Sequence, residues 1–185
     1  MSATASPFTV VETGFAGLHV LQPRVWADPR GVFVKTFQAD VFRDLGIRFE
    51  PCEEFYSVSA KNVVRGLHFQ LPPAAHAKLV YCLAGAVLDV VVDLRRHSPT
   101  FRRVFSRELS GRNRELLFIP VGFAHGFVAL EDESSMVYKT DTVHTPACDA
   151  GIAWDSISFP WPAQKPVLSE RDRGFPALRD FQSPF

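Results

Sequence analysis

The sequence predicts an all-β protein built from many short strands, arranged as a sandwich or a barrel. The 185-residue chain contains 17 Phe and 14 Pro, and the Pro residues are spread along it, so turns interrupt the chain at short intervals. Only one segment has the pattern of a helix, and the other apolar segments are short. Strands at this spacing are typical of sandwiches and barrels.

The first predicted elements surround a turn. Asp28-Pro29-Arg30-Gly31 is typical of a type I turn, because Pro presets φ and Gly tolerates the exit. A strand is predicted after it, from Val32 to Phe37. A helix is predicted from Ala39 to Leu45, with Gly46 ending it.

Six further strands are predicted, at residues 63–69, 79–83, 87–94, 115–119, 123–130 and 135–142. The segment Val87 to Leu94 is apolar on both faces except at Asp89 and Asp93, which predicts a buried central strand. The tail from Asp155 onward is rich in Pro and irregular, and we expect it to wrap the barrel or a partner subunit.

The composition limits the classes of function. Lys+Arg and Asp+Glu number 20 each, so no general attraction to nucleic acid or to an anionic membrane is expected, and an anionic ligand has to meet local charge. No apolar run approaches the roughly 20 residues of a membrane span. Met1 to Pro7 lacks the features of a signal peptide, and Cys52, Cys82 and Cys148 are widely spaced and odd in number. A cytoplasmic protein with reduced thiols is expected.

Arg65-Gly66-Leu67-His68 is the first candidate for chemistry, since it places a cation and an imidazole on one predicted strand. Strict alternation would put Arg65 and His68 on opposite faces. Gly66 between them suits a β-bulge, which would let both side chains turn inward.

Four other features carry groups that can act on a substrate. They are Lys78 at the start of a strand, His125 with Gly on either side, Tyr138 within a strand, and the charged cluster Ser169 to Asp172. Each has a structural alternative, because a His or Tyr in an apolar strand is more often a hydrogen-bonded core residue and a charged cluster is more often a solvated surface. Taken separately, these features do not identify a function.

The chain lacks the motifs of common cofactor sites. His68 is followed two residues later by Gln70, and the sequence has no His-x-His pair, so a metal is not expected. A Gly-rich phosphate loop and a Ser or Cys nucleophile motif are also absent from the sequence.

Taken together and in order, these segments resemble the dTDP-4-dehydrorhamnose 3,5-epimerase family. The matching segments are Asp28–Phe33, Arg65–Gln70, Lys78–Val80, Gly85, Asp89–Arg95, Ser98–Thr100, Ile119–Pro120, Gly122–Phe127, Tyr138–Lys139, Trp161–Pro162 and Leu168–Asp172. They cover about residues 15 to 175 of what is expected to be a single domain, residues 1–185.

The resemblance implies a metal-free jelly-roll barrel of the cupin type (a double-stranded β-helix) with a few short helices. Such a protein would form a homodimer and act, without a cofactor, on a nucleotide-diphosphate 4-keto-6-deoxyhexose. The resemblance makes His68 the base and Asp172 the residue that orients it. Tyr138 becomes the acid on the opposite face of the sugar, and Lys78 lies near the developing enolate oxygen.

The resemblance also implies a set of residues that bind the substrate. Arg65 and His125 would line the sugar pocket. Arg30 and Arg171 would bind the diphosphate or the nucleotide, and Phe33 and Asp149 fall at ligand-contact positions of the family.

The chemistry of these residue types agrees with the implied roles. A proton next to a ketone is only weakly acidic, so the barrier falls mainly when a cation such as Lys78 stabilises the enolate. His supplies a base near neutral pKa. Inversion needs proton removal on one face and return on the other, and a Tyr hydroxyl, with a pKa of about 10, is a donor that stays protonated at neutral pH.

Three positions depart from the pattern of the family. His144 stands where a Tyr is common, two residues before Pro146, which leaves open whether C3 and C5 are both inverted. Lys35 stands where the family typically has a Glu near the nucleotide base. A Lys cannot accept a hydrogen bond from thymine, so Lys35 indicates either a different nucleotide base, as in a CDP sugar, or contact with a phosphate or solvent. The segment Glu53 to Ser57 replaces a Gln-x-Asn stretch that helps to bind the nucleotide.

The leading prediction is therefore an isomerase of deoxysugar biosynthesis that converts dTDP-4-dehydro-6-deoxyglucose to dTDP-4-dehydrorhamnose by inversion at C3 and C5. The alternatives are a 3- or 5-epimerase acting on a dTDP or CDP sugar, a sugar 3,4-ketoisomerase, and a barrel that binds sugar without catalysis or holds a metal. Tyr138 together with Ser169 to Asp172 favours the epimerase over the ketoisomerase. The complete catalytic set argues against a non-catalytic protein, and the missing His-x-His pair argues against a metal.

Overall fold

The computed structural model describes residues 6–185; Met1 to Ala5, part of the segment predicted to lack a signal peptide, lie outside the described residues. Within this range the chain forms thirteen strands and two short α-helices. The strands are β1 (Phe8–Glu12), β2 (His19–Pro23), β3 (Val25–Asp28), β4 (Gly31–Val34), β5 (Glu53–Ser59), β6 (Val64–Gln70), β7 (Lys78–Ala84), β8 (Ala86–Asp93), β9 (Val104–Ser110), β10 (Leu116–Ile119), β11 (Phe123–Ala129), β12 (Ser134–Thr140) and β13 (Asp149–Gly151). The helices are α1 (Ala39–Asp44) and α2 (Glu170–Arg173), and Pro146–Cys148 and Trp154–Ser156 form short 3₁₀ turns.

Two antiparallel sheets form the body of the protein. The six-stranded sheet has the order β1-β2-β10-β7-β12-β5, and the five-stranded sheet has the order β13-β6-β11-β8-β9. From β5 to β12 the chain changes sheet at every step except the β8–β9 hairpin, which stays in the five-stranded sheet, and this is the arrangement of a jelly roll. The prediction of an all-β jelly-roll barrel with a few short helices is confirmed.

Alternation along β8 explains why this strand is apolar on both faces. Val87 and Val91 point into the core between the sheets, where they pack with residues such as Leu117. Val90 points to the other side, where side chains such as Leu178 of the C-terminal tail cover it. Since β8 lies between β11 and β9, the prediction of a buried central strand is confirmed.

Helix α1 covers part of the outer face of the six-stranded sheet. Phe42 is fully buried there, with its ring 5.4 Å from that of Phe8 and 4.9 Å from that of Phe37. Complete burial of a Phe side chain stabilises a fold by about 1.5–3 kcal/mol. The helix is found where it was predicted, although its last residue is Asp44 and Leu45 forms the C-cap.

Two features near α1 differ from the sequence predictions. The strand predicted from Val32 to Phe37 ends at Val34, because the chain leaves the hairpin there and Phe37 packs against Phe42 instead. The strands β1, β2, β3, β5, β9 and β13 were not among the predicted segments. In β5 and β9 charged residues such as Glu54 and Arg107 interrupt the apolar pattern, so neither strand gives a clear apolar run.

The C-terminal tail packs on the five-stranded sheet of its own chain. Ile157 and Leu178 belong to the same buried cluster as Val92. The carbonyl of Phe185 accepts a hydrogen bond from the backbone N–H of Arg96 at 2.9 Å. The expectation that the tail wraps the barrel is therefore confirmed.

The tail is nevertheless not irregular throughout, which corrects the sequence prediction. Ser169 caps α2, since its hydroxyl accepts a hydrogen bond from the backbone N–H of Asp172 at 3.1 Å. Asp172 is only 4% exposed, so the interpretation of this cluster as a solvated surface is wrong at this residue.

Strands β3 and β4 form a two-stranded sheet of their own. Arg30 lies at the turn between them, and Val32 and Phe33 are 55% and 60% exposed. The ring of Phe33 contacts that of Trp26 on the facing strand, with 5.8 Å between their centroids. This hairpin therefore presents aromatic and basic side chains outward.

Between residues 6 and 185, no helix has the length and apolar character needed to cross a membrane. The three cysteines are free thiols: Cys52 is exposed, Cys148 is half-buried and Cys82 is buried in the core. Cys82 packs in the core between the two sheets with residues such as Val80.

Candidate active site

A cavity of about 430 Å³ opens between the two sheets, and both sheets contribute to its lining. It is lined by Glu53, Phe55, Ser57, Arg65, His68, Phe69, Gln70, His76, Lys78, His125, Gly126, Phe127, Tyr138, His144, Asp149 and Arg171. Most of the side chains predicted from the sequence to act on a substrate or bind it therefore meet in one place.

A β-bulge in β6 turns both Arg65 and His68 toward the cavity. His68 pairs with His125 of β11 and Arg65 pairs with Phe127, so three steps along β6 match two steps along β11. Gly66 makes this possible, with a φ of 131° and no side chain; a Cβ atom would lie 2.6 Å from the Cα of Gly126. The predicted bulge at Gly66 is confirmed.

His68 is hydrogen-bonded to Asp172, with 2.8 Å between Nε2 and Oδ1. A carboxylate only accepts, so Nε2 carries the proton and Nδ1 holds the lone pair that can take a proton from a substrate. Burial lowers the pKa of His68, against the opposing effect of the hydrogen bond and the charge of Asp172. The imidazole is therefore neutral at pH 7, which is the state that a general base needs.

Asp172 is itself held in place from two sides. Its Oδ2 accepts a hydrogen bond from the backbone N–H of Gly66 at 3.0 Å, next to the bulge. Burial on its own raises the pKa of this carboxyl, but its hydrogen bonds, with His68 first among them, bring the pKa below its usual range. The ring of Phe175, also from the tail, meets His68 edge-on at 5.6 Å. The tail thus fixes both the tautomer and the orientation of the imidazole.

Lys78 is the first residue of β7, and its ammonium group lies 3.4 Å from the carbonyl oxygen of His68. Burial lowers the pKa of Lys78 to about 8, although the carboxylates of Asp89 and Asp149 act in the other direction. Lys78 is therefore a cation at pH 7 in a poorly hydrated cavity. In such a place it stabilises a developing oxyanion more strongly than it would in water.

Tyr138 lines the cavity from β12, in the sheet opposite to that of His68. Its hydroxyl lies 3.1 Å from Oγ of Ser57 on β5. The ring of Phe55, directly opposite on β5, stacks on the Tyr138 ring with 4.8 Å between centroids and 13° between planes. Burial raises the pKa of Tyr138, so the phenol keeps its proton at neutral pH.

A second His–Asp pair lies deeper in the barrel. His125 on β11 and Asp89 on β8 are both buried, and Nε2 of the former lies 2.8 Å from Oδ2 of the latter. Oδ1 of Asp89 has no hydrogen-bond partner among residues 6–185. This pair places a carboxyl group behind the cavity, and Asp89 favours the charged form of Lys78.

The rim of the cavity is built around Asp149 on β13. Its carboxylate accepts hydrogen bonds from the guanidinium of Arg171 at 2.8 Å, and Nε2 of His144 lies 4.0 Å from Oδ2. The backbone N–H of His144 donates to the carboxylate of Glu53 at 2.7 Å. The side-chain oxygen of Gln70, which is buried, accepts a hydrogen bond from the backbone N–H of Thr145, the residue after His144. His144 is thus held at the mouth of the cavity.

Three predicted substrate-binding residues lie elsewhere in the single chain. Arg30 pairs with Asp28 at the exposed turn of the β3–β4 hairpin, and Phe33 lies on the same hairpin. Lys35 donates a hydrogen bond to the side chain of Gln38 at 3.3 Å. These three residues do not line the cavity that holds His68 within the part of the chain that the structure describes.

Sequence reasoning missed several residues that shape the site. Asp89 was noted only as a polar interruption in an apolar strand, although a lone Asp in a buried strand is itself a signal of a functional or paired carboxylate. Ser57 and Phe55 were noted only as a departure from a nucleotide-binding stretch. No local pattern indicated Phe175, because its contact with His68 depends on how the tail folds back.

The arrangement is suited to removing a proton from one face of a carbon atom and adding one to the other face. A neutral imidazole and a protonated phenol face the cavity from opposite sheets, with an ammonium group beside them. Such a set can remove a proton on one side of a molecule, stabilise the resulting oxyanion and return a proton on the other side. Within residues 6–185, His, Cys, Asp and Glu side chains form no group of three placed to hold a metal ion.

Comparison with known proteins gives consistent matches. Residues 12–180 match the dTDP-4-dehydrorhamnose 3,5-epimerase family. The chain is 43% identical over 166 residues to the dTDP-4-dehydrorhamnose 3,5-epimerase of Shigella flexneri, a match that covers 88% of this chain and 92% of that one. It is also 37% identical over 163 residues to the dTDP-4-dehydrorhamnose 3-epimerase of Streptomyces niveus, covering 86% and 79% of the two chains.

Solved structures of similar proteins agree in fold. The crystal structure of dTDP-4-dehydrorhamnose 3,5-epimerase from Bacillus anthracis, with TDP and PPi bound, matches with a TM-score of 0.90 and 38% identity, covering 92% of this chain and 99% of that one. That of the 3,5-epimerase from Legionella pneumophila, in complex with dTDP-4-keto-L-rhamnose, matches with a TM-score of 0.90 and 35% identity, covering 95% of each chain.

Proposed function

The chain belongs to the dTDP-4-dehydrorhamnose 3,5-epimerase family, and on that premise we propose that it inverts C3 and C5 of dTDP-4-dehydro-6-deoxyglucose to give dTDP-4-dehydrorhamnose. One observation in the structure of this chain supports the proposal. His68 and Tyr138 line one cavity from opposite sheets, with Lys78 beside them.

Each inversion proceeds through an enolate. Nδ1 of His68 removes the proton from the carbon next to the C4 ketone, and the electron pair moves onto the ketone oxygen. Lys78 stabilises that oxygen, and Asp172 stabilises the imidazolium. Tyr138 then gives its proton to the opposite face of the same carbon, and the ketone is restored. Arg65, His125 and Arg171 line the cavity as groups that bind the sugar and the diphosphate.

The test is incubation with dTDP-4-dehydro-6-deoxyglucose in D₂O, followed by NMR. Deuterium at both C3 and C5, with conversion to the rhamno product, is the expected result. His68→Ala should abolish the exchange, whereas Tyr138→Phe should retain exchange and lose inversion. No exchange at either carbon in the wild-type protein would remove the proposal.

A single-centre epimerase is the second candidate, and His144 is the observation that favours it. This residue takes the place of a family Tyr at the mouth of the cavity, and the relative from Streptomyces niveus is named a 3-epimerase. In the same NMR experiment, deuterium at one carbon only would support this candidate over the first. A clear preference for dTDP over CDP in a binding assay would remove the idea that Lys35 indicates another nucleotide.

We also propose that the active protein is a homodimer. The β3–β4 hairpin exposes Val32 and Phe33, and β5, the edge strand next to the cavity, exposes Tyr56, which is 74% accessible. Exposed apolar surface beside a free strand edge is typical of an interface. A two-fold arrangement in which each hairpin covers the partner's edge strand would carry Arg30 and Phe33 to the cavity of the other subunit. The three free thiols favour the cytoplasm as its location.

A further inference from the structure

Two groups compete for the enolate in the proposed reaction. Tyr138 can give its proton to the opposite face of the carbon, which inverts the centre, or the imidazolium of His68 can give a proton back to the original face, which restores the substrate. Either transfer forms one C–H bond from the electron pair of the enolate and regenerates the ketone. A displacement of a reacting group by about 1 Å can slow a step by on the order of 10²-fold, so the outcome depends on how closely the phenol is held. This competition follows from the proposed function, on which the inference about Tyr138 rests.

The ring of Tyr138 is held between two neighbouring strands. Val80 on β7 and Phe55 on β5 are its direct partners across the strand pairs, so the three side chains lie on the same face of the sheet. Val80 is fully buried and belongs to the same core cluster as Tyr138. On the other side, the ring of Phe55 stacks on the Tyr138 ring with 4.8 Å between centroids and only 13° between planes. The phenol ring thus has an aliphatic wall on one side and an aromatic wall on the other.

Phe55 forms the outer of these two walls. It lies on β5, the edge strand of the six-stranded sheet, and within residues 6–185 no further strand pairs with the open side of β5. Its side chain lines the cavity beside Tyr138. Loss of the Phe55 ring would therefore leave space on this side, and the phenol could tilt toward the edge of the sheet.

The oxygen end of the phenol is held by Ser57. The two hydroxyl oxygens lie 3.1 Å apart, and Ser57 follows Phe55 by two residues on the same face of β5. When Ser57 donates this hydrogen bond, the proton of the phenol is left to point toward the substrate. One hydrogen bond still allows the ring to turn about the oxygen, and the stack on Phe55 removes that freedom.

We propose that Phe55 is a positioning residue that sets the ratio of inversion to return by fixing the plane of the Tyr138 ring. With the ring held, the phenol transfers its proton to the enolate faster than the imidazolium gives one back. Proton removal by His68 does not depend on Phe55, because Asp172 and Phe175 of the tail hold the imidazole. The same ratio applies at each centre that the enzyme inverts.

The variants Phe55→Leu and Phe55→Tyr test this role, because Leu removes the stacked ring and Tyr retains it. Each is incubated with dTDP-4-dehydro-6-deoxyglucose in D₂O, and NMR measures the deuterium in unconverted substrate and the amount of inverted product. The ratio of these two quantities compares return with inversion. Phe55→Leu should raise this ratio by about tenfold or more while the total rate of C–H exchange stays near that of wild type, and Phe55→Tyr should keep the wild-type ratio.

Tyr56→Leu is the control for loss of an aromatic side chain from β5. Tyr56 lies on the other face of this strand, where it pairs with Val137 and is 74% exposed. This variant should keep the wild-type ratio, whatever its effect on the overall rate.

A ratio in Phe55→Leu equal to that of wild type would overturn the proposal, even if exchange and inversion both fall, because a purely structural role would reduce them in equal proportion. If thermal unfolding shows that Phe55→Leu does not fold, Phe55→Met takes its place with the same expected ratio. Failure of the proposed function looks different, because wild-type protein would then show neither exchange nor inversion.

Discussion

At the scale of single residues, the pair His68–Asp172 sets the acid limit of activity. The base acts when it is neutral, and burial lowers its pKa from the ordinary value of 6.5. Activity should therefore persist below pH 6.5 as the pH falls. Asp172 opposes the effect of burial, so Asp172→Asn should move the acid limb of the pH profile to still lower pH and reduce the rate by about 10²–10⁴. The pH dependence of C–H exchange in D₂O measures both effects; an acid limb that moves upward in Asp172→Asn would contradict this account.

Lys78 illustrates a conflict between stability and activity. Its pKa of about 8 in the folded protein lies below its ordinary value of 10.5, so the unfolded chain binds its proton more tightly. At pH 7 the buried charge therefore lowers the free energy of unfolding, and this cost disappears as pH rises from about 8 to 10.5.

At pH 7 the variant Lys78→Met should accordingly unfold at a higher urea concentration than wild type and lose activity. Its free energy of unfolding should be higher by on the order of 1–3 kcal/mol. Urea titrations at pH 7 and 9.5 measure the difference, which should be smaller at the higher pH. Lys61→Met, at an exposed lysine, serves as the control and should leave stability nearly unchanged. A Lys78→Met protein that is less stable than wild type at pH 7 would show that the buried charge of Lys78 does not lower the free energy of unfolding.

At the scale of strands, the site depends on how closely β6 and β11 approach each other. A Cβ at Gly66 would lie 2.6 Å from the backbone of Gly126, and the φ of 131° is also strained for any other residue. Gly66→Ala should therefore destabilise the protein by about 3 kcal/mol or more and disturb His68. Gly14→Ala is the matched control, because Gly14 has a positive φ of 78° but open space around it, and should cost only about 1 kcal/mol. Equal losses of stability in the two variants, measured by thermal unfolding, would mean that the close approach of Gly66 to Gly126 is not the cause of the destabilisation.

The strands also show how much the sequence predicts. β6, β7, β8, β10, β11 and β12 have apolar runs that identify them, and Gly66 indicated the bulge. The edge strand β5 could not be identified in this way, since its face toward the cavity carries Glu53 and Ser57 as well as Phe55 and its other face meets solvent. Within the site, His68 and Tyr138 were candidates from the sequence and received their roles through the resemblance, whereas the contacts of Ser57, Phe55 and Phe175 come from strand pairing and tail folding, which no local pattern encodes.

At the scale of the whole molecule, the proposed dimer predicts a specific form of complementation. If the hairpin of one subunit serves the cavity of the other, a mixed dimer of Arg30→Ala and His68→Ala chains contains one site with both groups intact. Mixing equal amounts of the two weakly active proteins under conditions of subunit exchange should restore activity to about a quarter of that of wild type, because about half of the dimers are mixed and each has one intact site of two. If Arg30 acts within its own subunit, no site is intact and activity stays low. Size-exclusion chromatography with light scattering checks that the variants are dimers.

The position of Asp172 and Phe175 in the tail has a consequence for how the protein matures. All strands of the barrel precede these residues in the chain, so the cavity can form before His68 has either of its supports. Until residues 169–175 dock, the imidazole lacks the group that sets its tautomer, and the barrel has a pocket without a working base. Proton abstraction therefore depends on residues 169–175 being docked on the barrel, although no strand of the barrel lies in that segment.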